Sequence, residues 1–185
     1  MKLYHTGYQE IRVPDLTIGR KNADFGQGFY LTPDRAFAER WAQESRNALP
    51  RVNHYSFFLE GLRVQRFTRD SDWFGYIRAN RAGRPDRLAD RDVIIGPIAN
   101  DTLYDTLGIM TSGLLTDEQS LALLRLGPAY TQIVLKTPRA ISRLRWLCVR
   151  PLEAEKISSC RELLRQEELN YQESIAQEME TLLAD

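Results

Sequence analysis

An α+β domain is the fold class this sequence predicts, and three observations carry that expectation. Short strand-like runs lie near the N-terminus, in the middle and again after residue 130, with helical patterns between groups of them rather than in strict alternation. That order argues against a doubly wound sheet. The chain has 185 residues, enough for one domain to bury about 70% of its unfolded surface without a disulfide or metal staple. Hydrophobic residues make up 43% and charged residues 27%, a composition that excludes disorder and collagen-like repetition.

Each element has a local reason. Lys2–His5 alternates and reads as a first strand, and residues 6–27, rich in Gly, Asp, Asn and Pro, read as a long loop of the kind that often carries function. Gly28–Leu31 reads as a second strand running into a helix, with Thr32 as cap, Pro33 in first position and Asp34 at the positive dipole end. Phe37, Ala38, Trp41 and Ala42 share a face of that helix at helical spacing. Val52–Leu59 and Leu62–Phe67 are strand candidates around a Glu60-Gly61 turn. Ser71–Ala82 is a helix with Trp73, Phe74 and Ile77 inward. Asp92–Ile95 is a short buried strand, followed by a helix through Leu103 and Leu107. Asp117–Leu126 is a helix opened by a Thr116 cap, and Thr131–Lys136 and Arg145–Val149 are strands. Residues 152–184 form a long helical region, expected to break or bend, with the one candidate linker near Pro151.

Several function classes drop out early. No apolar run approaches the roughly 18 residues of a membrane span, and the N-terminus lacks the apolar segment of a signal peptide. Cys148 and Cys160 cannot make a disulfide framework, and only His5 and His54 could join them on a metal, so the expectation is a cytoplasmic protein without one. Cys148 reads as a small buried hydrophobe and His54 as structural. Net charge is zero but uneven: residues 1–150 hold 22 basic against 16 acidic side chains, residues 151–185 hold 3 against 9. The basic set is almost all arginine, which suits bidentate phosphate contacts, although genome composition produces the same bias. Residues 63–91 carry eight arginines against four aspartates around Trp73, Phe74 and Tyr76, either a basic aromatic helix for nucleic acid or a solvated helix with a core face.

Taken singly, the candidate site residues are ambiguous. Gly26-Gln27-Gly28 before Phe29-Tyr30 lacks the third glycine and the preceding strand of a dinucleotide fingerprint, and alone reads as a tight turn into a strand. His5 alone reads as a core histidine. No Ser/His/Asp set accompanies either histidine.

Together they form a pattern. Tyr4-His5-Thr6-Gly7, then Asp24-Phe25-Gly26-Gln27-Gly28-Phe29-Tyr30-Leu31-Thr32, then a helix reaching Trp41, resembles the diphtheria-toxin-like branch of the ADP-ribosyltransferase superfamily, which includes the poly-ADP-ribose polymerases. Thr131-Gln132-Ile133-Val134-Leu135-Lys136, followed by Ile141, Leu144 and Trp146, is similar to that branch's third motif, with Gln132 where a glutamate is usual. The chain is more closely similar to a bacterial domain-of-unknown-function family grouped with these transferases, which shares the Asp24–Thr32 stretch and the segment Ile95-Gly96-Pro97-Ile98-Ala99-Asn100-Asp101. The resemblance covers residues 2–146, and its most specific part is the second-strand motif.

The resemblance implies a split antiparallel sheet with surrounding helices over residues 1–150, a C-terminal helical extension over 151–185 packed on the same domain, and NAD as substrate. It implies that His5 hydrogen-bonds the adenine-side ribose, that the peptide groups of Thr6 (usually Gly in the family) bind the nicotinamide amide, and that Tyr30 stacks on the nicotinamide ring. Trp41 falls where relatives place a second aromatic, and Arg20 is a candidate for the pyrophosphate or a solvated loop charge. Gln132 is the departure: an amide can hydrogen-bond a ribose hydroxyl but supplies no charge to an oxocarbenium-like state. Three readings follow: a mono-transferase with a weaker catalytic residue, a different acid such as Asp101 or Asp92 supplying charge, or an inactive enzyme. The expected function is mono-ADP-ribosyl transfer to a protein or nucleic-acid acceptor, in the setting of a toxin–antitoxin or phage-defence toxin that the resemblance implies. Alternatives are an NAD glycohydrolase and an inactive NAD- or ADP-ribose-binding module. The stripe Ile157, Leu164, Tyr171, Ile175, Met179 and Leu182 beneath an acidic face packs back on the body or serves a homodimer or antitoxin contact.

Overall fold

The computed structural model describes residues 1–41, 48–99 and 115–184. Among them the chain is α+β, with two open, mostly antiparallel sheets and five helices. The first sheet has the order β1–β3–β7, from Lys2–Gly7, Arg51–Phe57 and Leu144–Pro151. The second has the order β2–β6–β5–β4, from Phe29–Leu31, Thr131–Leu135, Val93–Pro97 and Val64–Arg66. Every pair is antiparallel except β4–β5, which departs from the all-antiparallel expectation. A single bridge joins the sheets among the described residues: Tyr4 and Thr32 exchange hydrogen bonds of 2.9 and 3.0 Å.

β6 is buried on both faces, and its alternation divides the interior. Ile133 and Leu135 join Leu3, Phe29, Tyr55 and Phe57 in a core drawn from both sheets. Val134 faces the other way, into an aromatic-rich core with Phe25, Trp73, Tyr76 and Leu124. α2 (Ser71–Arg81) and α3 (Asp117–Arg125) close that second core, with Trp73, Phe74 and Ile77 inward as their spacing predicts. Thr116 caps α3 in a full capping box with Gln119.

Several sequence expectations are corrected. The Glu60-Gly61 turn does not close a hairpin, because both edges of β3 are taken by β1 and β7; β4 crosses to the other sheet and pairs with β5. α1 spans Arg35–Arg40, and its cap is Asp34, whose carboxylate accepts from the Phe37 amide at 3.1 Å. Pro33 lies outside the helix and favours an extended Thr32, which continues to the bridge with Tyr4. A short helix α4 (Pro138–Ile141), capped by Thr137, was not anticipated. α5 (Ala154–Ala184) is a single helix of 31 residues without Gly or Pro to break it. No linker separates it from the body, since Leu152 is buried and its amide bonds the Pro50 carbonyl at 2.9 Å. Ile157, Tyr171 and Ile175 are buried, the last two against Leu123 of α3. Glu167 of the same helix takes Arg40 of α1 and, at 2.9 Å, the Tyr130 hydroxyl. Cys148 is half-buried, and Cys160 is the buried thiol. Ala42, Asp101 and the helix expected through Leu103 and Leu107 lie outside the described residues.

Candidate functional site

Beyond the Tyr4–Thr32 bridge the two sheets part, and a cavity of about 520 Å³ opens between them. His5, Thr6, Arg20, Tyr30, Trp41 and Gln132 all line it, together with Asp24, Arg81, Phe37 and Ile98. Residues from β1, the long loop, β2, α1 and β6 thus meet in one cleft. Its size falls within the ordinary range for small-molecule and cofactor sites.

Strand parity explains the placement. Tyr30 stands opposite Val134 in the β2–β6 ladder, so Tyr30 and Gln132, two residues from Val134, share a face. On β1, Tyr4 gives its peptide groups to Thr32 rather than to β3. The same alternation turns the N–H and C=O of Thr6 away from β3, toward the opening. The Thr6 hydroxyl donates to the Ala38 carbonyl, which commits the side chain to α1 and leaves the peptide as what Thr6 offers the cleft.

His5 lies with its ring centroid 4.5 Å from that of Phe29, and Nδ1 sits 2.7 Å from the Tyr30 carbonyl. A carbonyl only accepts, so Nδ1 carries the proton and Nε2 is left as an acceptor. Burial lowers the His5 pKa, outweighing the opposing pull of the Tyr30 carbonyl, so the ring is neutral near pH 7. The Tyr30 hydroxyl donates to the Gly26 carbonyl at 2.7 Å and accepts from the Phe25 amide at 3.0 Å. Burial pushes its pKa up, which makes the ring a fixed, protonated surface rather than a base.

The glycines of the second-strand motif are required by what surrounds them. Gly26 has φ +73°, and a Cβ there would meet Asp86 Oδ2, Lys136 Nζ and Asn80 Oδ1 at 3.0, 3.1 and 3.2 Å. At Gly28 a Cβ would stand 2.7 Å from both the Leu135 carbonyl and Val134 Cγ1. Lys136 donates to the Phe25 carbonyl at 2.7 Å and to Asp86, which also accepts from the Tyr76 hydroxyl at 2.8 Å. This buried network holds the turn that anchors Tyr30.

Gln132 is 6% exposed, and its Nε2 faces the Pro97 carbonyl at 3.3 Å and Asp24 Oδ2 at 3.5 Å. Asp24 is 7% exposed, and its Oδ1 takes Arg81 through Nη2 at 2.7 Å and Nε at 2.9 Å. Trp41, 41% exposed, stands at the rim with its ring centroid 5.6 Å from that of Phe37. Sequence reasoning missed Asp24 as a site residue although it lay inside the quoted motif, and it missed Arg81 altogether. The available signal was the isolated acid at the start of a glycine turn.

One alternative is overturned. Asp92 cannot supply charge to this cleft: it lies beside Lys136, whereas Gln132 pairs with Gly96 at the other end of the ladder, and its oxygens are taken by the Arg63 amide and the Thr137 hydroxyl. On α2 the rings of Trp73, Phe74 and Tyr76 are buried and face the core. Arg78 and Arg81 of that helix pair with Asp117 and Asp24, and Arg87 beyond it pairs with Asp72. His54 stands edge-on to Tyr4, with the ring centroids 5.1 Å apart.

Among the described residues no three His, Cys, Asp or Glu side chains are grouped to hold a metal ion, and no helix is long and apolar enough to cross a membrane. No curated protein and no solved structure matches the chain. Residues 1–146 match the family described as Protein of unknown function (DUF3990), and the chain belongs to that family.

Proposed function

We propose that the cleft binds NAD and that the protein transfers a single ADP-ribosyl group from it to a macromolecular acceptor, releasing nicotinamide. One observation carries this reading: His5, the Thr6 peptide, Tyr30 and Gln132, far apart in sequence, line one cavity together with Arg20. Two sheets that meet at one rung and then part lend this reading support, since the ADP-ribosyltransferase resemblance implies a split sheet.

In this reading each group has a task its environment suits. His5 Nε2 accepts a hydrogen bond from a ribose hydroxyl on the adenine side. The Thr6 N–H and C=O pair with the carboxamide of nicotinamide, and Tyr30 offers its ring face. Arg20 meets the pyrophosphate. The reaction breaks the bond between ribose C1′ and the nicotinamide nitrogen, with the electron pair leaving on that nitrogen. The Gln132 side chain orients the ribose while positive charge develops on it, the acceptor nucleophile bonds C1′, and its proton passes to solvent.

Incubation with NAD labelled in the adenylate half tests the assignment. Label on a macromolecule supports transfer, free ADP-ribose supports hydrolysis, and binding without turnover supports an inactive module. His5→Ala and Tyr30→Ala are each expected to weaken NAD binding by about 1–3 kcal/mol, through a lost hydrogen bond and a lost stacking face. Gln132→Ala is expected to lower turnover more than affinity. Retention of full NAD affinity by both His5→Ala and Tyr30→Ala rules the reading out.

A further inference from the structure

We propose that Asp24 supplies the negative charge at the reacting ribose, beside Gln132 on the same wall of the cleft. The inference rests on the cleft being an NAD site and deepens that reading. Gln132 cannot serve this purpose itself. Its Nε2 is directed at the Pro97 carbonyl and at Asp24 Oδ2, so the amide oxygen is what it has left to offer, and that oxygen carries only a partial charge.

Asp24 has the properties the task needs. It lines the cavity, is nine-tenths buried, and is the sole carboxylate among the described lining residues. Arg81 grips Oδ1 through two nitrogens, which fixes that oxygen and leaves Oδ2 toward Gln132. Arg20 matches a diphosphate, while the one carboxylate, with Arg81 behind it, matches the cationic ribose. A held charge aimed at developing opposite charge in a water-poor cleft is worth on the order of a hundredfold in rate. The bond changes are those of the transfer reaction: Asp24 stabilises the ribose cation after the C1′–nitrogen bond opens and forms no covalent bond itself.

A purely structural ion pair between the loop and α2 makes different predictions, so the test separates binding, turnover and rescue. NAD affinity by calorimetry and nicotinamide release at saturating NAD are measured on the full chain. Asp24→Asn is expected to lower kcat at least a hundredfold with NAD affinity within threefold. Combining it with Gln132→Glu moves the carboxylate to the neighbouring side chain and is expected to recover at least tenfold of the lost kcat. Should Asp24→Asn alone not fold, because the Arg81 guanidinium loses the carboxylate that faces it, Asp24→Asn with Arg81→Gln replaces it and is expected to show the same loss. A kcat within threefold of wild type in Asp24→Asn overturns the role of Asp24 and leaves the transferase reading standing. Failure of the relocated carboxylate to rescue a folded, NAD-binding protein also overturns it. A wild-type protein that does not bind NAD overturns both.

Discussion

Asp24 and Asp92 are both buried carboxylates facing arginines, yet they sit at opposite ends of the second sheet and are held in opposite ways. Asp92, 1% exposed, accepts from the Arg63 amide at 2.8 Å and the Thr137 hydroxyl at 2.7 Å, with the Arg63 and Arg139 guanidiniums 3.5 and 3.9 Å away. Its two oxygens join β4, β5 and α4 at one corner. Asp24 gives one oxygen to Arg81 and turns the other toward Gln132 at the edge of a cavity. A carboxylate whose oxygens are both spent within a structural corner stabilises the fold; one whose second oxygen takes only a 3.5 Å contact from Gln132 at the wall of a cavity can also meet a ligand. Burial and an arginine partner therefore do not by themselves mark a functional acid.

The largest expected effect breaks the structural member of the pair. Asp92→Ala leaves the Arg63 amide and the Thr137 hydroxyl without their acceptor and is expected to cost about 2–4 kcal/mol in denaturant unfolding. NAD affinity of the folded fraction should stay unchanged. Burial pushes the Asp92 pKa up, but the Arg63 amide and the Thr137 hydroxyl outweigh it with help from the Arg63 guanidinium, and the net shift is downward. A lowered carboxyl pKa means that this stability is present above the unfolded value near about 4 and is lost as pH falls through the folded one. The gap between wild type and Asp92→Asn is thus expected at pH 7 and should close in acid. A loss under 1 kcal/mol for Asp92→Ala would dissolve the contrast with Asp24.

A middle-sized effect sharpens the comparison at the cleft end. Lys136→Met removes the donor to the Phe25 carbonyl and the partner of Asp86. An expected loss of about 1–3 kcal/mol in stability follows from the polar groups left unpaired. NAD binding should weaken as well, because the Gly26 turn that anchors the Tyr30 hydroxyl is then held less firmly; calorimetry on the folded variant checks this. The smallest effect is a pH dependence. Burial lowers the His5 pKa, and also that of His54, which Arg35 and Arg150 push further down. For a histidine the sign is the reverse of the Asp92 case. Below about pH 6.5 the unfolded chain takes up protons that the folded one resists, so stability declines as pH falls from there. Thermal melts between pH 8 and 5 should show that decline, and His5→Gln should make it shallower.

Much of this was legible in the residues. Alternation in Thr131–Leu135, the capping box at Thr116 and the apolar spacing on α2 are local signals, and each element formed where its signal lay. The motif around Gly26 and Gly28 was legible because φ +73° at Gly26 favours glycine, and a Cβ at Gly28 would stand 2.7 Å from the Leu135 carbonyl of the neighbouring strand. The Glu60-Gly61 turn misled because whether two strands pair depends on which edges are already occupied.

His5, Thr6, Arg20, Tyr30, Trp41 and Gln132 were nameable as candidates only together, through the resemblance that their motifs carry, because each taken singly is ambiguous. Local propensity sufficed for the α+β class and for most of its helices and strands. Tertiary structure alone decided that these residues share a cleft, that Asp92 is spent at a structural corner, and that Asp24 stands beside Gln132 with Arg81 behind it. The reason is physical: what a carboxylate can do depends on which groups already take its oxygens and on whether a cavity lies beside it, and that is settled by groups up to 108 residues away in the chain.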